Sequence, residues 1–163
     1  MLAKPVVAEI QGAQMFLRTL GADYHDPHMV QAVIAWFRQE SGGVKRVLYN
    51  NPFNIRPGIA SSYSYGTWQG RVGLFLKFSS LSKGFGAAAI VLKKLAPSYG
   101  YGTVITAAKS GNPIRFLAAL ARSSWDGSHY GTTTSKNALT TRNHLVSLYY
   151  QIPLPVGRYL RTS

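Results

Sequence analysis

Two glutamates stand among the five acidic residues of this chain, Glu9 and Glu40, and their settings differ. Glu40 closes a stretch in which Val30, Val33, Ile34 and Phe37 recur at three- and four-residue spacing, the apolar face of a helix. Asp26 suits the N-cap and Pro27 the first helical position, while Gly42-Gly43 stops the helix just after Glu40-Ser41. The spacing therefore predicts a helix from Pro27 to about Ser41 with a carboxylate in its last turn. There the negative end of the helix dipole disfavours the ionised form. Trp36, one turn earlier on the same side, offers a ring to desolvate it. A carboxyl held protonated near neutral pH is what a general acid requires. The competing reading is an exposed, solvated helix-terminal glutamate.

A glycosidase that uses two carboxylates needs a partner for Glu40. Asp126, in Ser124-Trp125-Asp126-Gly127, is the acid downstream and the candidate second acid; turn chemistry favours an Asx turn before Gly127 instead. Asp23 and Asp26 are the early alternatives, with Asp26 better suited to its cap. Tyr63, Tyr65, Trp68, Trp125 and Tyr130 are candidate sugar-stacking platforms, because an aromatic face can cover the C–H face of a pyranose. Core packing of a small β lobe accounts equally well for any one of them. Ser41 is assigned a structural role, locking the helix end. His25, His28, His129 and His144 show no zinc-type spacing with acids, so no metal and no cofactor are expected. Neither a Gly-x-Ser-x-Gly elbow nor a phosphate loop occurs, which argues against serine hydrolase and nucleotide chemistry.

The elements that must position these residues follow from local signals. Ile10, Phe16, Leu17 and Leu20 predict a first helix over Ala8–Leu20, ended by Gly21. Glycine, serine and aromatics dominate from Phe53 to Phe78, where Val72, Leu74, Leu76 and Phe78 run near period two; a small antiparallel hairpin or irregular β lobe is expected. Ser80 or Ser82 caps a helix to about Leu95, whose Gly84, Gly86 and Ala87-Ala88-Ala89 make a thin face for close helix packing. A short helix over Thr103–Lys109 follows. Asn112 and Pro113 then open a helix that buries Phe116, Leu117 and Leu120. A loop over Trp125–Gly131 leads to a last helix from Ser135 to about Tyr149, with Leu139, Leu145, Val146 and Tyr149 inward. Pro153 and Pro155 force an extended tail. The fold class expected is mainly α (α+β), with residues 1–150 as one domain and 151–163 as a proline-containing C-terminal tail.

Glu40-Ser41, then Gly42-Gly43, then Asn50-Asn51-Pro52-Phe53-Asn54-Ile55 resembles the peptidoglycan hydrolases of the lysozyme-like superfamily. The likeness is strongest to the endo-N-acetylglucosaminidase group of autolysins and flagellar muramidases; goose-type lysozymes and lytic transglycosylases share the Glu-Ser part. Phe78-x-Ser80-x-x-x-Gly84, an Ala-rich helix, Ser124-Trp125 and Tyr130 match in the same order, so the resemblance spans about Pro27 to Tyr130. It implies a lysozyme-like fold: a long central helix, a small β-hairpin lobe and a substrate cleft between them. It further implies that Glu40 is the general acid. A second carboxylate is often absent in these families, and the sugar's N-acetyl group or a held water takes that role. Asn54 and Tyr130 are then candidates to hold the water or the sugar. The chain departs from the pattern at Asn54, where the glucosaminidases carry glycine, and lacks their acidic hairpin. Glu9 falls outside the matching stretch, and Glu9→Gln is expected to be nearly silent.

At 163 residues with 46% hydrophobic composition, the chain is long enough to bury a real core. It has no cysteine, hence no disulfide framework and no thiolate chemistry. No apolar run reaches membrane-spanning length, and residues 1–7 do not make a signal-peptide core. Eighteen basic residues against five acidic ones give a net charge of +13, which draws the molecule to polyanions. No nucleic-acid motif accompanies that charge. The function expected is therefore phage-encoded peptidoglycan cleavage, as an endolysin or virion-associated lysozyme. Its partners are the glycan strands and the anionic wall polymers, with delivery from a virion or the host cytoplasm. The alternative is a non-catalytic structural virion protein on a lysozyme-like scaffold, meeting other virion proteins through the tail residues Arg158, Tyr159, Leu160 and Arg161.

Overall fold

The computed structural model describes residues 1–125 and 135–155, with side chains from 138 onward in the second stretch. Asp126, His129, Tyr130 and the tail residues Arg158 to Arg161 lie outside the described residues. The described part is mainly helical, six helices with one two-stranded antiparallel sheet. None of the described helices is long and apolar enough to cross a membrane.

Helix α1 (Val7–Leu20) ends at Gly21, whose φ of 77° is the left-handed conformation that glycine adopts without steric cost. Helix α2 (Pro27–Ser41) starts where expected: the Asp26 carboxylate accepts the backbone N–H groups of His28, at 2.9 Å, and Met29. The apolar face expected of α2 understates its burial. Every residue from Met29 to Phe37 is buried, because α1, α5 (Pro113–Arg122) and α6 (Ser135–Gln151) pack around it. Gln31 is tolerated there because its amide donates to the carbonyls of Tyr149 and Ile152. Both carbonyls lie at the C-terminal end of α6, so the polar side chain helps close one helix while residing in another.

Helix α3 (Leu81–Lys94) is capped by Ser80, whose hydroxyl accepts the Lys83 N–H at 3.2 Å. Its small residues do allow close packing, and α1 is the partner. A β-carbon at Gly12 would fall 2.5 Å from the Phe85 ring, so Phe85 fits only against glycine. Helix α4 (Tyr101–Lys109) begins two residues earlier than expected. Helix α5 has the predicted Asn112 cap, accepting the Arg115 N–H, and buries Phe116, Leu117 and Leu120.

Strands β1 (Gly66–Gly70) and β2 (Gly73–Lys77) pair with Trp68 opposite Phe75. The near-alternation read through Val72 and Leu74 does not set burial. Val72 lies in the turn, and both residues are exposed at the hairpin tip, beyond the reach of the core. Leu76 is buried by the domain, and Phe75, on the opposite face, by the Trp68 ring. Leu139, expected to point inward, is exposed. The buried residues described toward the end of α6 are Leu145 and Tyr149, so the helix meets α2 and α5 along its later turns.

Candidate functional site

The acids are fixed first. Glu9 is not a bystander, as its place outside the motif suggested. Its carboxylate is almost fully buried and takes both Nε and Nη2 of Arg38 at 2.8 Å, together with the backbone N–H of Val6 at 3.0 Å. Asp23 accepts the His25 N–H at 2.9 Å, an Asx turn, and Asp26 caps α2. Three of the chain's acids therefore hold the scaffold.

Glu40 is half-buried in the last turn of α2. Ser41 shapes the end of that turn: its hydroxyl donates to the Phe37 carbonyl at 2.9 Å and accepts the Gly43 N–H at 3.2 Å. Gly42, at φ 72°, reverses the chain, and its N–H closes on the Arg38 carbonyl. The Arg46 side chain lies directly against Gly42, where a β-carbon would meet its Cδ at 2.8 Å. A guanidinium thus stands at the negative end of the α2 dipole, where cations are favoured. The sequence shows Arg46 only as part of a basic pair; its contact with the helix end depends on the 3₁₀ turn Val44–Arg46 that follows the glycines.

The asparagine loop is built by Asn51. Buried, it donates to the carbonyls of Ile55 (2.8 Å) and Leu76 (3.0 Å) and accepts the Ile55 N–H (2.8 Å). Ile55 in turn accepts the Leu76 N–H, so the loop lies along β2. Asn50 adds a bond from its amide to the Phe78 carbonyl at 3.0 Å. Asn54 sits at φ 54°, a conformation that favours glycine and that asparagine tolerates best among other residues, and its side chain is exposed. Asparagine is thus compatible with the backbone this position requires. Gly84 completes the arrangement: a side chain there would collide with the Asn50 carbonyl and with Pro52.

The four motif segments meet at one aromatic cluster. Trp36, fully buried, stacks on Phe53 of the asparagine loop at 4.1 Å and meets Trp125 edge-on at 5.1 Å. Phe53 meets Phe85 of α3 at 5.0 Å. The Glu40 helix, the loop, the Gly84 helix and Ser124-Trp125 are thereby joined one helical turn from Glu40.

Of the other ring candidates, Tyr63, Tyr65 and Trp68 do not join that cluster. Trp68 packs between Tyr49 and Phe75 in the hairpin, and its indole N–H is buried with no partner among the described residues. Tyr63 and Tyr65 are exposed on the approach to β1, available to a ligand and not used by the core. Tyr49 was not singled out by the sequence. It takes a positive φ, presents a half-exposed ring, and carries the Lys77 ammonium 4.7 Å from the ring centre. Among the described residues no three His, Asp or Glu side chains gather as metal ligands would.

Comparison of the chain with protein-family models, with curated proteins and with solved structures found no match.

Proposed function

We propose that the chain is a lysozyme-like glycosidase that cuts peptidoglycan glycan strands between amino sugars, with Glu40 as general acid. The observation that carries the reading is the meeting, through Trp36, Phe53, Phe85 and Trp125, of four segments that match the hydrolase pattern in order. In the proposed step the Glu40 carboxyl gives its proton to the glycosidic oxygen as the C–O bond to the anomeric carbon breaks. The cationic sugar is then captured by its own N-acetyl oxygen or by water, a route that suits a domain whose Glu9, Asp23 and Asp26 have scaffold duties. The substrate would lie between the end of α2 and the hairpin lobe, with Tyr63 and Tyr65 exposed to stack against sugars and Asn54 presented from the loop. The surplus of positive charge would keep the enzyme on an anionic wall.

The test is Glu40→Gln assayed for release of soluble fragments from purified peptidoglycan, alongside a thermal melt. General acid assistance is worth about 10²–10⁴ in rate, so the variant is expected to fold, bind wall and cut at least about a hundredfold more slowly. Digestion at the parent rate would remove Glu40 from the mechanism. A parent that digests no wall type would leave a structural virion role as the better account. Reducing muramic acid, reducing glucosamine and anhydro-muramic ends would identify the bond and the fate of the intermediate.

A further inference from the structure

Helices α4 and α5 enclose a groove of about 480 Å³ on a part of the molecule that the proposed chemistry does not use. Each helix lines it with residues at i, i+3, i+4 and i+7, which share one face. Along α4 and its C-cap these are Thr103, Thr106, Ala107 and Ser110; along α5 they are Arg115, Ala118, Ala119 and Arg122. The two alanines on α5 leave the space, and the arginines stand at its ends, about 10 Å apart along the helix axis.

The two walls differ in chemistry. Thr106 and Ser110 donate their hydroxyl protons to the Gly102 and Ala107 carbonyls at 2.9 and 2.8 Å. Their remaining lone pairs can only accept, so that wall suits a ligand bearing hydroxyl groups. Arg115 and Arg122 are exposed and have no ion-pair partner among the described residues. Each guanidinium presents only donors, in a fork that fits a phosphate or carboxylate. Among the described residues no acid lines the groove to repel an anion. No aromatic ring among the described residues lines it either, so these walls give nucleobases nothing to stack on.

We propose that this groove binds a polyol-phosphate chain, with hydroxyls against α4 and successive phosphodiesters at Arg115 and Arg122. The proposal rests on the wall-directed reading for the source of the ligand and not on the chemistry of Glu40. It gives the diffuse positive charge a specific seat, which would hold the enzyme by one wall polymer while it works on another.

Calorimetric titration of the full chain with a glycerol-phosphate oligomer tests it, run on the parent and on Glu40→Gln so that the groove is read separately from the chemistry of Glu40. Both proteins are expected to bind alike. Arg115→Gln/Arg122→Gln should weaken binding about tenfold or more, as loss of two charge-assisted contacts implies. Ala118→Phe, which fills the groove at unchanged charge, should weaken it comparably; circular dichroism checks that each variant is folded. Lys83→Gln/Lys94→Gln removes the same charge from exposed sites on α3 and should cost less than about threefold. Equal losses in the arginine and lysine pairs would reduce the effect to the general field and overturn the proposal. So would full binding by Ala118→Phe, or a single-stranded DNA oligomer of equal charge that binds more tightly and loses as much on the arginine substitutions.

Discussion

Replacing Glu9 by Gln is expected to unsettle the domain, although the change is isosteric and lies far in sequence from the motif. The Glu9 carboxylate accepts three hydrogen bonds, two from Arg38 and one from Val6, with side-chain exposures of 3% for Glu9 and 15% for Arg38. Glutamine has one carbonyl oxygen. It can keep one or two of these bonds, and its NH₂ group must face a remaining N–H donor. Hydrogen bonds to a charged group contribute about 1.5–3 kcal/mol and neutral ones about 0.5–1.5, with a further penalty for a buried donor left unmade. Removing one partner of a fully buried pair costs about 3–5 kcal/mol; the partial exposure of Arg38 lowers this to about 2–4 kcal/mol. For a domain of this length 1 kcal/mol shifts Tm by about 2–4 °C, so the melt should fall by about 5–15 °C.

The assay is a thermal melt of parent, Glu9→Gln, Arg38→Met and Glu9→Met/Arg38→Met. The double variant should melt above Glu9→Gln, because it leaves no buried charge without its partner. Arg38 also donates to the carbonyls of Ala3 at 2.9 Å and Lys4, so its loss should free the residues before α1 to proteolysis. A Glu9→Gln protein melting within about 2 °C of the parent would refute the accounting.

Two further substitutions probe the loop and the α6 anchor. Glycine to alanine inside a helix ordinarily gains about 0.5–1 kcal/mol; at Gly84 the sign should reverse, to a loss of about 1–3 kcal/mol, because the new methyl would meet Pro52 Cδ at 2.5 Å and the Asn50 carbonyl. A raised Tm for Gly84→Ala would show that the loop can move aside. Tyr149 has its phenol pKa pushed above the ordinary 10.0, by burial first and then by Tyr150 and Asp26. The folded state therefore keeps a proton that the unfolded chain loses, and this contribution is present below pH 10.0 and disappears as pH rises through the folded pKa. Tyr149→Phe also loses the contact with His28 Nδ1 at 3.2 Å, so it should melt below the parent at neutral pH, and the gap should close in alkaline melts. A constant gap would mean the phenol does not titrate differently on folding.

What could be read in the sequence was local. Asp26, Ser80 and Asn112 cap helices because a short polar side chain reaches the N–H two or three residues on, a geometry contained in the spacing. Gly21 and Gly42 end helices for an equally local reason. What escaped joins distant residues. The Glu9–Arg38 pair spans 29 positions, and the bond from Asn51 to Leu76 spans 25. Leu139 shows the same limit: its apolarity predicts burial, and exposure follows from where α6 meets its neighbours. The motif residues were legible individually. Their convergence on Trp36 was not, because it depends on Gly84 admitting the asparagine loop.

The scarcity of acids sharpens the reading of Glu40. In a chain with 18 basic and five acidic residues, each carboxylate relieves the repulsion among the positive charges, and few are present to do so. Glu9, Asp23 and Asp26 each have a scaffold task, the ion pair with Arg38, an Asx turn and the cap of α2. At the last turn of α2 the dipole prefers a cation, although the positive field of the chain favours a carboxylate. Placing glutamate there runs against the helix dipole alone, and violations of local preference gather at functional sites. The two glutamates then answer opposite questions. Glu9→Gln should lower stability and reduce wall digestion only as far as unfolding does, whereas Glu40→Gln should abolish digestion at an unchanged Tm. If digestion and Tm fell together in both variants, Glu40 would be one more scaffold residue and its local cost would need another explanation.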